Sequence, residues 1–363
     1  MRDLRGLKVC FLAGTLDRGG AERQLYYIVK TLIENGAHPR VLCMTTGEFW
    51  EAALRRLGVP VEWVGRRRSR LARVRTVIDA VRADPPHVLQ SQHFHTNLYT
   101  AVAARVIGIA GVGAIRSSAT WEVAEVGAVF GRLSLRVPRF VAANSRAAIA
   151  NAAAWGAPTY RLRFLPNVVD TDAFAPAPRT SNGCIRVLTV GRRSPHKRLD
   201  RFLSVLAGVR RAARRPVCGL LVSPVNQAGA LEARATDLGL SPDVLEFRMG
   251  AVDMAAVYRS ADIFLLTSDS EGTPNVVLEA MAAATAIVAT RVGGIPDIVQ
   301  DGATGHLAEP GDVRALVDAV VALSENDEAR TTMGSLARAY VERHHSLHGL
   351  STVLGDFYES VNA

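Results

Sequence analysis

Lysine is nearly missing from this chain. Lys8, Lys30 and Lys197 are all there are in 363 residues whose Lys and Arg together number 43. Aromatic residues are scarce too, at 6%, and no nucleic-acid module is present, so nucleic acid is not an expected partner. No apolar run is long enough to cross a bilayer; residues 101–115 come nearest and include Arg105. The short apolar run after Lys8 leads into Asp17 and Arg18 without a small-residue cleavage pattern, so no secretory leader is expected. Cys10, Cys43, Cys184 and Cys218 are scattered without C-x-x-C spacing. They read as buried thiols of a reduced, cytoplasmic protein and not as metal ligands. There is no G-x-G-x-x-G fingerprint, which disfavours a nicotinamide enzyme.

What is present is the material of two α/β cores. The length exceeds what one core usually serves, and an apolar fraction of 48% is ample for two. The run Leu7-Lys8-Val9-Cys10-Phe11-Leu12 leads into a glycine-containing loop and an amphipathic helix from Ala21. The same order recurs with Ile185-Arg186-Val187-Leu188-Thr189-Val190, the loop Gly191-Arg192-Arg193-Ser194 and a helix from Leu199. Each is a βα opening of a doubly wound parallel sheet, with ligand chemistry expected at the strand carboxyl ends. Residues 171–183, rich in Ala, Pro, Ser, Asn and Gly, read as a linker. The expected division is 1–170, a linker at 171–183, 184–340, and a terminal helical stretch at 341–363.

The chemistry concentrates at Ser268-Asp269-Ser270-Glu271-Gly272-Thr273-Pro274-Asn275-Val276-Val277-Leu278-Glu279. A buried strand is expected over residues 262–267, then a turn, then a helix capped by Thr273 with Pro274 in its first position. Glu271 then stands in the loop and Glu279 within the helix, while the N–H groups of Asn275, Val276 and Val277 favour an anion. Carboxylates on either side of an anion cradle suit a ligand that combines hydroxyls with phosphate, as a nucleotide sugar does. Taken alone, the same acids would also complement a helix dipole.

The spacing from Glu271 to Glu279 resembles the E-x7-E signature of retaining glycosyltransferases of the GT-B fold, family 4. Other segments fit in the same order: Gly19-Gly20-Ala21-Glu22, Asn144-Ser145, Pro166-Asn167-Val168-Val169-Asp170, Val190-Gly191-Arg192 with Lys197, and Gly293-Gly294-Ile295-Pro296-Asp297. The resemblance covers nearly the whole chain and is strongest over residues 185–310. It implies two Rossmann-like domains facing a cleft, a hinge between them, and a last helix that returns to the N-terminal domain. It further implies retention of anomeric configuration, a nucleotide-diphosphate sugar as co-substrate, and no metal or other cofactor.

By that resemblance Arg192 and Lys197 hold the diphosphate and stabilise the leaving nucleotide, Glu279 accepts from ribose hydroxyls, and Glu271 faces the donor sugar. The backbone of Gly272, Thr273, Pro274, Asn275 and Val276 reads sugar and phosphate, with the base near Arg248, Met249 and Gly250. Gly19 and Gly20 offer close backbone approach, although Gly19 also reads as a plain turn glycine. Relatives carry a histidine where this chain has Ala114-Ile115-Arg116-Ser117-Ser118, and Gln90-Ser91-Gln92 stands where H-x-H is common. His95 and Arg116 are therefore the acceptor-side candidates; His95 also reads as a satisfied strand-end histidine. Asp269-Ser270-Glu271 is better explained by the glutamate motif than as a metal-binding D-x-D.

A net charge of +9 points to acidic partners. The densest run is Arg66-Arg67-Arg68-Ser69-Arg70, followed by a helix with Leu71, Val74, Ile78 and Val81 on one face. That helix reads either as a sheet cover with a solvated basic side or as a peripheral attachment to anionic lipid on the cytoplasmic face of a membrane. The expected function is glycosyl transfer to a saccharide or lipid-linked acceptor, in cell-surface polysaccharide or glycolipid assembly. A catalytically silent nucleotide-sugar-binding protein and a nucleotide-sugar epimerase are the alternatives.

Overall fold

The computed structural model describes residues 3–67, 69–177, 183–223, 229–250 and 252–362. Arg68 and residues 178–182 of the expected linker lie outside the described residues. The chain divides into two compact units, residues 1–168 with 348–363, and residues 169–347.

The first unit is built on β1 (Lys8–Ala13), β2 (His38–Cys43), β3 (Val61–Trp63), β4 (Val88–Ser91), β5 (Ala110–Ile115), β6 (Phe140–Ala143) and β7 (Leu162–Phe164). All pairings are parallel, in the order β3-β2-β1-β4-β5-β6-β7. The helix Gly20–Glu34 buries Leu25, Ile28, Val29 and Leu32, the i, i+3, i+4, i+7 stripe of a sheet-covering helix. The last helix, Leu350–Asn362, belongs to this unit and buries Leu354, Phe357, Tyr358 and Val361. Its Tyr358 hydroxyl donates to Gln90 Oε1 on β4 at 2.8 Å.

The second unit carries β8 (Ile185–Val190), β9 (Val217–Ser223), β10 (Leu245–Met249), β11 (Ile263–Leu266), β12 (Ala286–Thr290) and β13 (His306–Ala308). These are also all parallel, in the order β10-β9-β8-β11-β12-β13. Successive residues part to opposite faces: Leu188, Leu220, Phe264 and Ile287 join one buried cluster, and Val187, Leu221, Ile263 and Val288 the other. Helices therefore cover both faces, which is why the central strands β11 and β12 are almost wholly apolar, whereas the edge strand β10 alternates Leu-Glu-Phe-Arg-Met. Burial of each such side chain stabilises by about 1.5–3 kcal/mol.

Two expectations are corrected. Cys10 and Cys43 are free and buried, but Cys184 and Cys218 are joined in a disulfide. Cys184 directly precedes β8 and Cys218 lies in the adjacent β9, so strand pairing brings them together across 34 residues of sequence. In the helix Arg70–Ala83, Val77 and Val81 are buried, yet Leu71 is 82% exposed. The periodicity identified the core face, but the first turn projects past the surface that this face covers.

Candidate active site

In both sheets the strand order reverses direction beside the first strand, between β1 and β4 and between β8 and β11. Loops diverge there at the carboxyl ends and leave a crevice, the usual ligand position in open α/β sheets. Nearly all the residues singled out from sequence fall at these two points.

In the second unit, loop 191–198 after β8 faces loop 267–274 after β11. The two are tied by backbone and side chain alike. Asp269 N–H donates to His196 O at 2.8 Å and the Thr267 hydroxyl to Arg198 O at 2.8 Å. Arg198 and Arg201 both pair with Asp269, at 3.0 and 2.7 Å, and hold its carboxyl below the usual carboxylate range against the opposing effect of burial. Lys197 Nζ, in the same frame, donates to both oxygens of Glu271 at 2.6 and 2.9 Å. Glu271 is 7% exposed and also accepts from the Ser268 hydroxyl at 2.6 Å. Two residues chosen for separate roles are thus in contact: a cation at the mouth of the crevice is paired with a buried acid.

The loop after β12 braces this frame from the other side. Gly294 N–H donates to Gly272 O at 3.0 Å, and the Thr290 hydroxyl donates to Ser268 O at 2.6 Å. Gly293 has φ +54°, and a Cβ there would lie 1.8 Å from the carbonyl oxygen of Glu271. Only glycine combines that conformation with that approach.

The helix that follows spans Asn275–Ala282, with Pro274 and not Thr273 at the cap position; its backbone is extended and no side chain caps the helix. The Val277 N–H, expected to point outward, donates to Pro274 O at 3.1 Å. Glu279 lies on this helix and is 2% exposed, while Asn275 and Val276 are half-buried at its start. Gly272, Thr273 and Pro274 are buried beside Glu271.

On the far side of β8, Arg192 is exposed immediately after the strand and Gly191. Its neighbour Arg193 turns inward, pairing through both terminal nitrogens with Glu232 on the helix Ala230–Asp237. Hydrogen bonds from Arg193, and secondarily from Gly229 N–H, pull the Glu232 carboxyl down to about 2 despite partial burial. Arg193 also lies 3.8 Å from Met249 Sδ, which places Met249 and Gly250 along the same carboxyl edge. Gly250 has φ +86° and donates to Ser223 O at 3.1 Å. Arg248 is engaged by Glu246 at 2.6 Å.

Two domain models match this chain, "Glycosyl transferase 4-like domain" over residues 19–168 and "Glycosyl transferases group 1" over residues 184–326. The chain belongs to the group 1 glycosyltransferases. Among curated relatives of this family, the sulfoquinovosyl transferase of Arabidopsis thaliana is 32% identical over 51% of this chain and 37% of its own length. The GDP-mannose-dependent alpha-(1-6)-phosphatidylinositol monomannoside mannosyltransferase of Mycolicibacterium smegmatis is 33% identical over 56% of each. Matches thus span about half the length, or less, of these curated relatives. In structure, the Anabaena protein HepE in complex with UDP-glucose superposes with a TM-score of 0.84 at 20% identity, covering 98% of this chain and 100% of that one. Sucrose-phosphate synthase from Thermosynechococcus elongatus gives 0.83 at 16%, over 97% and 98%. At such identities the likeness is one of fold, the two-sheet GT-B architecture.

The first unit of this group 1 glycosyltransferase has its own polar cluster at the β1/β4 point, most of which escaped sequence reading. Gly14 N–H donates to His93 Nδ1 at 3.0 Å, so His93 carries its proton on Nε2, which faces Glu22 Oε1 at 3.1 Å. Glu22 follows Gly19 and Gly20 in the first turn of its helix, with Gly19 extended at the cap. The His95 ring stacks on His93 at 5.6 Å and lies over Gly14, where a Cβ would come within 2.1 Å of its Nε2. Enclosure holds the His95 pKa below the ordinary imidazole value. Arg116 Nη2 donates to Gln92 Oε1 at 3.3 Å. The backbone N–H groups of Arg116 and Ser117 donate to Glu122 Oε1 at 3.0 and 2.8 Å. Glu22 was quoted only as part of a glycine motif; an acid two residues after the glycine that opens the helix was the signal available.

Proposed function

We propose that this protein is a retaining glycosyltransferase that moves a sugar from a nucleoside-diphosphate sugar to a saccharide or lipid-linked acceptor, in cell-surface polysaccharide or glycolipid assembly at the cytoplasmic face of a membrane. The observation that carries the reading is the contact of Lys197 with Glu271, in a loop locked by Gly293 at a strand-order reversal, with Glu279 one helix turn beyond. The relatives support it, since HepE is described with UDP-glucose and the mycobacterial enzyme as a mannosyltransferase using GDP-mannose.

In this reading the donor diphosphate takes Lys197 as a partner alongside Arg192. Charge-assisted hydrogen bonds there stabilise the negative charge that grows on the leaving oxygen. Glu279 accepts from the ribose hydroxyls. Glu271, still within reach of Ser268, faces the sugar as positive charge develops at its anomeric carbon. The acceptor oxygen attacks from the face the diphosphate leaves, and its proton passes to the departing phosphate oxygen. Those cations carry the charge stabilisation, so no metal is assigned a role. His95 and Arg116 are proposed for the acceptor.

The test is a thermal-shift screen with UDP, GDP, ADP, TDP and CMP, with and without EDTA, on wild type and Glu279→Ala. One diphosphate should stabilise the wild type, by about 2.7 kcal/mol at a hundredfold excess over Kd. EDTA should not alter the shift, and Glu279→Ala should abolish it. No shift with any nucleotide would overturn the reading. Binding without transfer or donor hydrolysis would make the protein a silent binder, and donor conversion without acceptor an epimerase.

A further inference from the structure

In the first unit, the loop from β1 to the helix Gly20–Glu34 is held at both ends by two consecutive residues from another segment. Gln92 and His93 directly follow β4, which pairs in parallel with β1. At the start of the loop, Gly14 N–H donates to His93 Nδ1 at 3.0 Å. At its far end, Gln92 Nε2 donates to Ala21 O at 2.6 Å, and His93 Nε2–H to Glu22 Oε1 at 3.1 Å. A further pin comes from beyond β2. Glu48 Oε2 accepts from the Thr15 hydroxyl at 2.9 Å, from the Thr45 hydroxyl at 2.6 Å, and from Leu16 N–H. The tip is left at the surface: Asp17, Arg18 and Gly20 are exposed and Gly19 is half-buried.

Both nitrogens of the His93 ring are occupied, one accepting from Gly14 and one donating to Glu22, so neither is left to take a proton from a substrate. No group of three His, Cys, Asp or Glu side chains among the described residues is placed to share a metal ion, which sets aside Glu22, His93 and His95 as ligands. Glu22 is 5% exposed, and a carboxylate so enclosed needs a match. The His93 N–H and the positive end of its own helix supply one. The stacked His95 ring and its approach to Gly14 keep the His93 ring from turning away. Acid and imidazole therefore brace the loop.

We propose that Glu22 and His93 are positioning residues: with Gln92 they hold the glycine loop, and so Gly19 and Gly20 at its tip, in the one conformation that receives an anionic group of the substrate. That this group is the donor's phosphate rests on the transfer reading. Gly14, Gly19 and Gly20 allow close backbone approach, but glycine is also the residue with most freedom to lose on ordering. The helix has an extended Gly19 at its cap and no side-chain capping bond, so its first N–H groups open toward the tip with the positive end of the dipole. They act together on an anion when the loop is ordered before the ligand arrives; a loose loop has to be ordered at the moment of binding, which weakens affinity. Bonds from Gln92 and His93 to both ends of the loop supply that order.

The test pairs amide hydrogen exchange over residues 14–22 of the free protein with calorimetric titration of UDP-glucose and GDP-mannose. His93→Leu, which loses both bonds, should exchange at least about tenfold faster in that segment and bind the donor about tenfold or more weakly. His93→Asn can still accept from Gly14 N–H and His93→Gln can still donate to Glu22, so each should recover part of the loss. Glu22→Leu should match His93→Leu, and the double variant should be no worse than either single one, because the two side chains act as a unit. Glu22→Gln keeps an acceptor for His93 and should bind nearly as wild type does. Arg40→Met is the stability control. It loses bonds to Ala80 O and Asp84 O at the opposite edge of the sheet, and should lower the thermal midpoint without changing affinity. A His93→Leu protein that behaves like Arg40→Met, with a lower midpoint but wild-type loop exchange and affinity, would overturn the positioning role. Additive losses in the double variant would overturn the brace as well. Wild type binding neither nucleotide sugar, with loop exchange still raised in His93→Leu, would instead sink the transfer reading and the donor role that depends on it.

Discussion

At Gly293 one missing methyl group sets the geometry of a catalytic candidate two elements away in sequence. A side chain there meets the Glu271 carbonyl oxygen at 1.8 Å and a φ of +54° at once, so the backbone must shift. Gly293→Ala is expected to destabilise by about 1–3 kcal/mol and to lower transfer at least about tenfold, because Glu271 moves with its carbonyl. Gly302, at φ +78° with open space around it, provides the control; Gly302→Ala should lower stability and spare activity. Thermal midpoints and initial rates of both variants check this. Glu122 makes a second prediction. Burial pushes its carboxyl up to about 8, and two N–H donors on Oε1 offset that only in part, since Oε2 is buried without a partner. The folded state keeps the proton up to about pH 8, whereas the unfolded chain releases it near pH 4.5. Stability from this group is therefore present in full below about 4.5 and falls as pH rises toward 8. Denaturation midpoints of wild type should decline from pH 5 to 8 relative to those of Glu122→Gln, and parallel profiles would refute the assignment.

Elements differ in how openly the sequence announces them. β11 was legible because a buried parallel strand is an unbroken apolar run, β8 because an apolar-rich run leads straight into Gly191, and their loops because glycine and paired acids follow at short range. Contacts that close over long separations left no local trace: Arg193 with Glu232, His93 with Glu22, Cys184 with Cys218. Thr273 looked like a helix cap on residue type, yet the following proline took the extended cap position and moved the start by one residue. Leu71 shows a further limit. Helical periodicity tells which residues share a face, but not where along the helix the covered surface stops. The helix Leu350–Asn362 is held to β4 by a buried bond, and Tyr358→Phe would leave Gln90 Oε1 without its donor. A loss of about 1–3 kcal/mol in chemical denaturation is expected.

For the molecule as a whole, the disulfide in the second unit is the feature least compatible with a reading as a reduced protein. Its bond closes a loop of 34 residues, for which cross-linking contributes about 2–4 kcal/mol. Dithiothreitol, or Cys184→Ser with Cys218→Ser, should lower the thermal midpoint by several degrees; equal midpoints with and without reductant would show that the thiols are free in solution.

The chain passes from the first unit to the second at residue 168 and returns at 348. Gln90 and its hydrogen-bond donor Tyr358 are 268 residues apart. At about 5–20 residues per second, a growing chain leaves Gln90 without that donor for roughly fifteen to fifty seconds. The unit that is translated first is thus completed last, only after the whole of the second unit has been made.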